Sequence, residues 1–294
     1  MISIIIQVDK QLSTLPRLLQ TIWNQQPHNL EHEVIIASAL PSSLSEIERL
    51  NEIHDGNPIL THQLVKNAYG AEAHNECLAL TKGSRFICLK EDNRLAPDFL
   101  RTIERHLLQN EHADIIYSDH LNMTLPNARC KAGYKSLADF SPELLRTTNT
   151  LGPSTLVRKE VWDTAAFRKN AIYEKWDFWI QATLHDFHFQ HVPACLVSQE
   201  KSPPSFRERA EDGRGKAMLV INNHSFFHMH TLRWAMAHLR GDGWAGPWAF
   251  ERIPNALEVT QMMHDHTRQR LPRAGFGGQK EMDFPDDTSI TSSI

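Results

Sequence analysis

Residues 85–98 constrain this chain more than any other stretch. Positions 85–89, Arg-Phe-Ile-Cys-Leu, form a short apolar run of the kind found in a strand covered on both faces. The run breaks into five polar residues, Lys90, Glu91, Asp92, Asn93 and Arg94. Pro97 and Asp98 then stand where a helix begins, since proline is tolerated in a first turn. Upstream, Ala73, Cys77, Leu78 and Leu80 recur near helical spacing, and Lys82-Gly83 supplies a stop. A polar cluster at the carboxyl end of a buried strand is where open α/β sheets bind ligands. The segment therefore predicts helix, strand, site and helix, in that order.

The opening of the chain agrees with such a sheet. Residues 2–8 are a β-rich apolar run, and Ser13 is placed to cap a helix with Leu15, Leu18, Leu19 and Ile22 on one face. A second apolar strand at 33–37 completes a βαβ unit, which implies parallel pairing. Residues 44–66 read as another amphipathic helix (Leu44, Ile47, Leu50) and a short strand at 59–64. A further helix around 99–108 leads into a strand at 113–119, and 189–193 reads as a strand running into a turn at Pro193. The break at 201–205, with Pro203 and Pro204, precedes helix-forming segments that carry His224, His228, His230, Trp234, Trp244 and Trp248. Residues 275–294 hold little to bury and are expected to be disordered. The predicted organisation is an α/β domain over 1–200, a helical extension over 201–274 and a tail.

Composition removes several classes. A formal charge of −4 over 294 residues argues against a nucleic-acid binder. No stretch reaches the ~20 apolar residues of a membrane span. The first residues read as a strand and not as a leader, so a cytoplasmic location is expected, with peripheral membrane association left open. Cys77, Cys88, Cys130 and Cys195 are widely spaced and read as buried free thiols in a reducing compartment.

The ordered residues Gly70, Ala73, Asn75, Leu78, Gly83, Leu89, Asp92, Leu95 and Pro97 make this region similar to family 2 glycosyltransferases, which have the GT-A fold. Ser3, Leu15, Leu19, Ile22 and Gln25 agree with the opening of that family. The segments at 113–119, 149–158 and 174–179 resemble its later motifs, so the resemblance covers residues 1–200. It implies an α/β fold with a mostly parallel central sheet, a nucleotide-sugar donor, a glycan or lipid-linked acceptor, and base-assisted inverting transfer.

Such transfer makes two demands on a protein. Charge building on the departing diphosphate must be stabilised, and the acceptor hydroxyl must lose a proton as it attacks. In the family, D-x-D carboxylates hold a divalent metal for the first, and the Asp of E-D-W-D serves as base for the second. Here Lys90 occupies the first D-x-D position and Lys175 the base position, while His74 replaces an Arg and Ser38-Ala39 replaces an Asp pair. The resemblance implies a donor site of Gln7, Asp9, Ser38, His74, Asn75, Lys90, Glu91, Asp92 and Asp119, and a catalytic set of Glu174, Lys175 and Asp177. Glu174 is the remaining carboxylate for a base, and the lysine beside it is expected to hold its pKa down. Mn2+ or Mg2+ is the implied cofactor, with Asp92, His224 and His228 as its ligands, the two histidines being four residues apart. The competing reading is a metal-independent site whose two lysines carry the diphosphate. A non-catalytic glycosyltransferase-like binding or scaffold protein stays open as well, because the lost carboxylates are also what loss of activity leaves behind.

Overall fold

The computed structural model describes residues 1–8, 12–39, 43–53, 60–65, 70–124, 133–168, 173–201 and 203–270. The apolar opening is strand β1 (Ile2–Val8), followed by a 3-10 turn and helix α1 (Leu15–Trp23). Leu15, Leu18, Leu19 and Ile22 of α1 are buried, each stabilising the fold by about 1.5–3 kcal/mol. Next come β2 (His32–Ser38), α2 (Ser43–Ile53), β3 (Leu60–Leu64), α3 (Gly70–Leu80) and β4 (Arg85–Lys90). β1 pairs in parallel with β2 and with β4, and β2 with β3, as a βαβ opening requires.

The middle of the chain adds β5 (Arg94–Leu95), α4 (Phe99–Gln109), β6 (Ile115–Thr124), β7 (Gly133–Lys135), α5 (Pro142–Leu145), β8 (Thr155–Arg158), α6 (Lys159–Ala165), α7 (Glu174–Leu184) and β9 (Phe189–Lys201). Among the described residues the sheet runs β3-β2-β1-β4-β8-β6-β9-β5, with β7 on β6. β8 is antiparallel to both β4 and β6, and β9 is parallel to β6. Most of the strands therefore share one direction, and their carboxyl ends share one edge.

The period of two in each strand sorts side chains onto two faces. Ile2, Ile4, Ile6 and Val8 of β1, with Ile87 and Leu89 of β4, pack into one core together with α1 and α4. Ile5, Phe86 and Cys88 face the other core, with α3 and α7. Gln7 and Lys90 continue this second face, and the register sets them side by side. Gly83, at the turn into β4, has no room for a side chain, since a Cβ there would lie 2.6 Å from Ser3 Oγ.

After residue 203 the chain forms α8 (Phe206–Asn222), α9 (Met229–Arg240) and α10 (Ala256–Arg270). Ser205 and Glu208 make a reciprocal capping box that starts α8. Ala217, Leu219, Val220, Trp234 and Val259 of these helices join the core on the α3 and α7 side. No helix among the described residues is long and apolar enough to cross a membrane.

Four local expectations are corrected. Ser13 lies inside the 3-10 turn, and Thr14 occupies the cap position of α1 without capping it through its side chain. Leu80 is 43% exposed, because the apolar stripe of α3 ends with Leu78. β9 does not stop at Pro193. The residue sits where the register with β6 shifts, and such an irregularity tolerates its missing N–H. Cys77 and Cys88 are buried free thiols, whereas Cys195 is exposed beside that shift. Cys130, Asp9 and residues 275–294 lie outside the described residues.

Candidate functional site

A cleft of about 710 Å³ opens at the carboxyl edge of the sheet. Its floor holds Gln7 from β1, Lys90 from the end of β4, and Asp92 and Asn93 from the turn that follows. Its wall is the start of α7, with Tyr173, Glu174, Lys175, Trp176 and Trp179. These groups meet because Gln7 and Lys90 point to the face that α7 covers. Lys175 Nζ donates to the Cys88 carbonyl at 3.4 Å, two residues before Lys90. Lys90 is exposed, and its backbone N–H donates to Asn93 Oδ1 at 3.0 Å, which closes the turn.

The electrostatics follow from this crowding. Burial, reinforced by Lys90, holds the Lys175 ammonium below the ordinary lysine range. Burial raises Glu174 above the usual carboxylate range, and Lys175 and Lys90 only partly offset this. The neighbouring lysine pulls Glu174 down as expected, but desolvation outweighs it and the net shift is upward. Asp92 is likewise raised by burial, and it accepts a bond from Asn93 Nδ2 at 3.0 Å.

Several nominated residues do not line the cleft. His74 is buried behind Gln7, with Nδ1 3.0 Å from the Gly70 carbonyl and 3.5 Å from Gln7 Nε2. Its pKa is pushed down to about 3, by burial first and by Lys175 next, so it adds no charge where the family has Arg. Asn75 binds the backbone of Phe167 and accepts from Trp162 Nε1 at 2.8 Å. Ser38 is buried at the end of β2, and Glu91 is buried in the turn after β4.

Asp119 accepts from Leu137 N and His191 Nε2, both at 2.8 Å, and from the Tyr134 hydroxyl, so it fastens β7 and β9 to β6. Asp177 is fully buried and receives Arg168 through two bonds of 2.8 and 2.6 Å, Asn223 at 2.7 Å and Gln181 at 2.9 Å. It braces α7 against α8 and does not reach the cleft.

The proposed metal set does not assemble. His224 lies in the turn after α8 and His228 is the cap residue of α9, so they share no helical face. Both are exposed, and His228 Nε2 lies 3.7 Å from Glu143. No three His, Cys, Asp or Glu side chains among the described residues come together as a metal site. The residues present do not fit the family's metal.

The cleft also holds groups that sequence reading passed over. His120, Gln199 and Glu200 come from β6 and β9, and Glu208, Phe250 and Glu251 from the helical extension. Gly152 makes room for His120, since a Cβ there would lie 2.7 Å from its Nδ1. Tyr173 is set by the extension as well: its hydroxyl donates to Asp212 Oδ1 at 2.5 Å, and Asp212 pairs with the buried Lys216 at 2.5 Å. The Pro203-Pro204 break was the one local sign that the chain turns back over the strand ends here.

No family model matches this chain, and no curated protein matches it. Solved structures do. Residues 1–349 of S. aureus TarS in complex with UDP-GlcNAc share 14% identity with a TM-score of 0.58, over 83% of this chain and 72% of that one. Mannosyltransferase PcManGT from Pyrobaculum calidifontis, in complex with GDP-Man and Mn2+, shares 13% identity with a TM-score of 0.57, over 91% of this chain and 75% of that one. The fold is the GT-A glycosyltransferase fold.

Proposed function

We propose that this chain is a family 2-like glycosyltransferase that moves a sugar from a nucleotide-sugar to a glycan or lipid-linked acceptor without a metal. The observation that carries the reading is the meeting of Lys90, Lys175 and Glu174 on one cleft at the strand ends of a GT-A sheet. In two structures of similar fold, a nucleotide-sugar is bound. Glu174 takes the proton of the acceptor hydroxyl, and that oxygen attacks the anomeric carbon. The bond from this carbon to the diphosphate oxygen breaks, and its electron pair leaves with the diphosphate. Lys90 and Lys175 stabilise that charge as ammonium groups, the role lysine plays in many phosphate sites. Burial keeps Glu174 basic enough to accept the proton.

The test is release of UDP or GDP from a panel of UDP- and GDP-sugars in the presence of mixed glycan acceptors. Glu174→Gln should lower the rate by about 10²–10⁴-fold. An ammonium at the family's base position favours one other reading, a donor-binding protein without turnover. Tight nucleotide-sugar binding with no release would select that reading, and no binding at all would contradict both.

A further inference from the structure

Lys175 stands between two spaces. It lines the cleft of about 710 Å³ together with Lys90 and Glu174. It also lines a small hollow of about 20 Å³ whose walls include Phe86, Cys88, Val157, Phe167 and Trp179. Among the described residues its one hydrogen bond is the long one to the Cys88 carbonyl, and it forms no salt bridge. The Cys88 thiol, pushed up to about 11 by burial, supplies no counter-charge. An ammonium carries three donors, and apolar walls leave them poorly served. Lys90, at the end of β4, adds a second cation that favours loss of the Lys175 proton.

An amine against apolar walls and beside another cation is activated for attack on carbonyl groups. Two neighbours complete the arrangement. Lys90 is exposed at the cleft and offers an ammonium to an anionic group such as phosphate. Glu174 adjoins Lys175, and burial favours its acid form. We propose that the cleft forms an imine between Lys175 and a phosphate-bearing aldehyde, an activity that uses these three side chains and does not rest on sugar transfer. The Lys175 nitrogen attacks the carbonyl carbon and its proton passes to the oxygen, giving a carbinolamine. Glu174 protonates that hydroxyl, water leaves, and the nitrogen lone pair forms the C=N bond. The iminium proton returns to Glu174, so amine and aldehyde give imine and water.

The full-length protein is treated with glyceraldehyde 3-phosphate or with glyceraldehyde, the imine is reduced with cyanoborohydride, and labelled peptides are mapped by mass spectrometry. Lys175 should be labelled about tenfold or more faster than the exposed Lys82 and Lys135, because more of it is free amine at neutral pH. The phosphate-bearing probe should outpace the plain one at Lys175 alone, and Lys90→Met should cancel that advantage. Glu174→Gln should slow labelling by about 10²-fold. Labelling spread evenly over exposed lysines, or no preference for the phosphate at Lys175, overturns the proposal, as does an unchanged rate in Glu174→Gln. Calorimetry with UDP and GDP on the same protein keeps the two readings apart. Nucleotide binding without Lys175 labelling defeats only the imine, whereas Lys175 labelling without nucleotide binding defeats only the donor reading.

Discussion

Lys175 Nζ stands 3.4 Å from the carbonyl oxygen of Cys88, which ties the start of α7 to the end of β4. The bond holds an ammonium over the strand that ends in Lys90, and the two positive charges disfavour each other. An anion between them relieves that cost. Lys175→Met should weaken UDP or GDP binding by roughly 10–100-fold in calorimetry, the value of one charge-assisted bond. Lys90 is exposed, so Lys90→Met should cost less. Unchanged affinity in both variants would contradict the assignment.

The rate should depend on pH in the shape of a bell. Glu174 must be ionised to act as base, and burial holds its pKa above the usual carboxylate range. kcat/KM therefore falls as pH drops through that raised value, at higher pH than for an exposed carboxylate. Lys175 is held below the lysine range, so its charge is lost early on the alkaline side. Glu174→Gln should abolish the acid limb, and Lys175→Arg should move the alkaline limb upward. The stability sign is the reverse of a paired carboxylate: the contribution of protonated Glu174 is full below the ordinary carboxylate pKa and is lost as pH rises through the raised one.

Asp177 should behave as a brace. Asp177→Ala removes the partner of Arg168, Gln181 and Asn223 from a fully buried position. The expected loss is about 3 kcal/mol, the low end for a broken buried pair, because Arg168 is 40% exposed and can turn to water. Denaturant unfolding measures the loss. Nucleotide affinity of the folded fraction should be unchanged, and a large drop there would return Asp177 to the site.

The helical extension should be needed for folding. Lys216 is fully buried against Asp212, and Ala217, Leu219, Val220 and Trp234 pack into the core shared with α7. A chain ended at residue 201 would expose that core and is expected to give no cooperative thermal transition. A folded, soluble 1–201 fragment would contradict this.

The sheet was legible because apolar runs and helical spacing are local signals. Residues 2–8, 85–89 and the α1 stripe are found where they were expected. The site was legible only in part. Gln7, Lys90, Asp92, Glu174 and Lys175 line the cleft, whereas Asp119 and Asp177 are consumed by hydrogen bonds to residues far along the chain. A motif position does not reveal whether its carboxylate faces a cavity or a partner such as Arg168. The side of the cleft made by Glu208, Phe250 and Glu251 was out of reach for the same reason, since only tertiary packing brings them to the strand ends.

On the proposed function, Lys90 and Lys175 stand in for a divalent cation. Calorimetric titration of the intact protein with UDP and with GDP, in EDTA and again in Mn2+, decides whether they do. Binding should persist in EDTA with little change on adding Mn2+, and should weaken as salt screens the exposed charge. Binding that appears only with Mn2+ would show that the two lysines do not replace the metal.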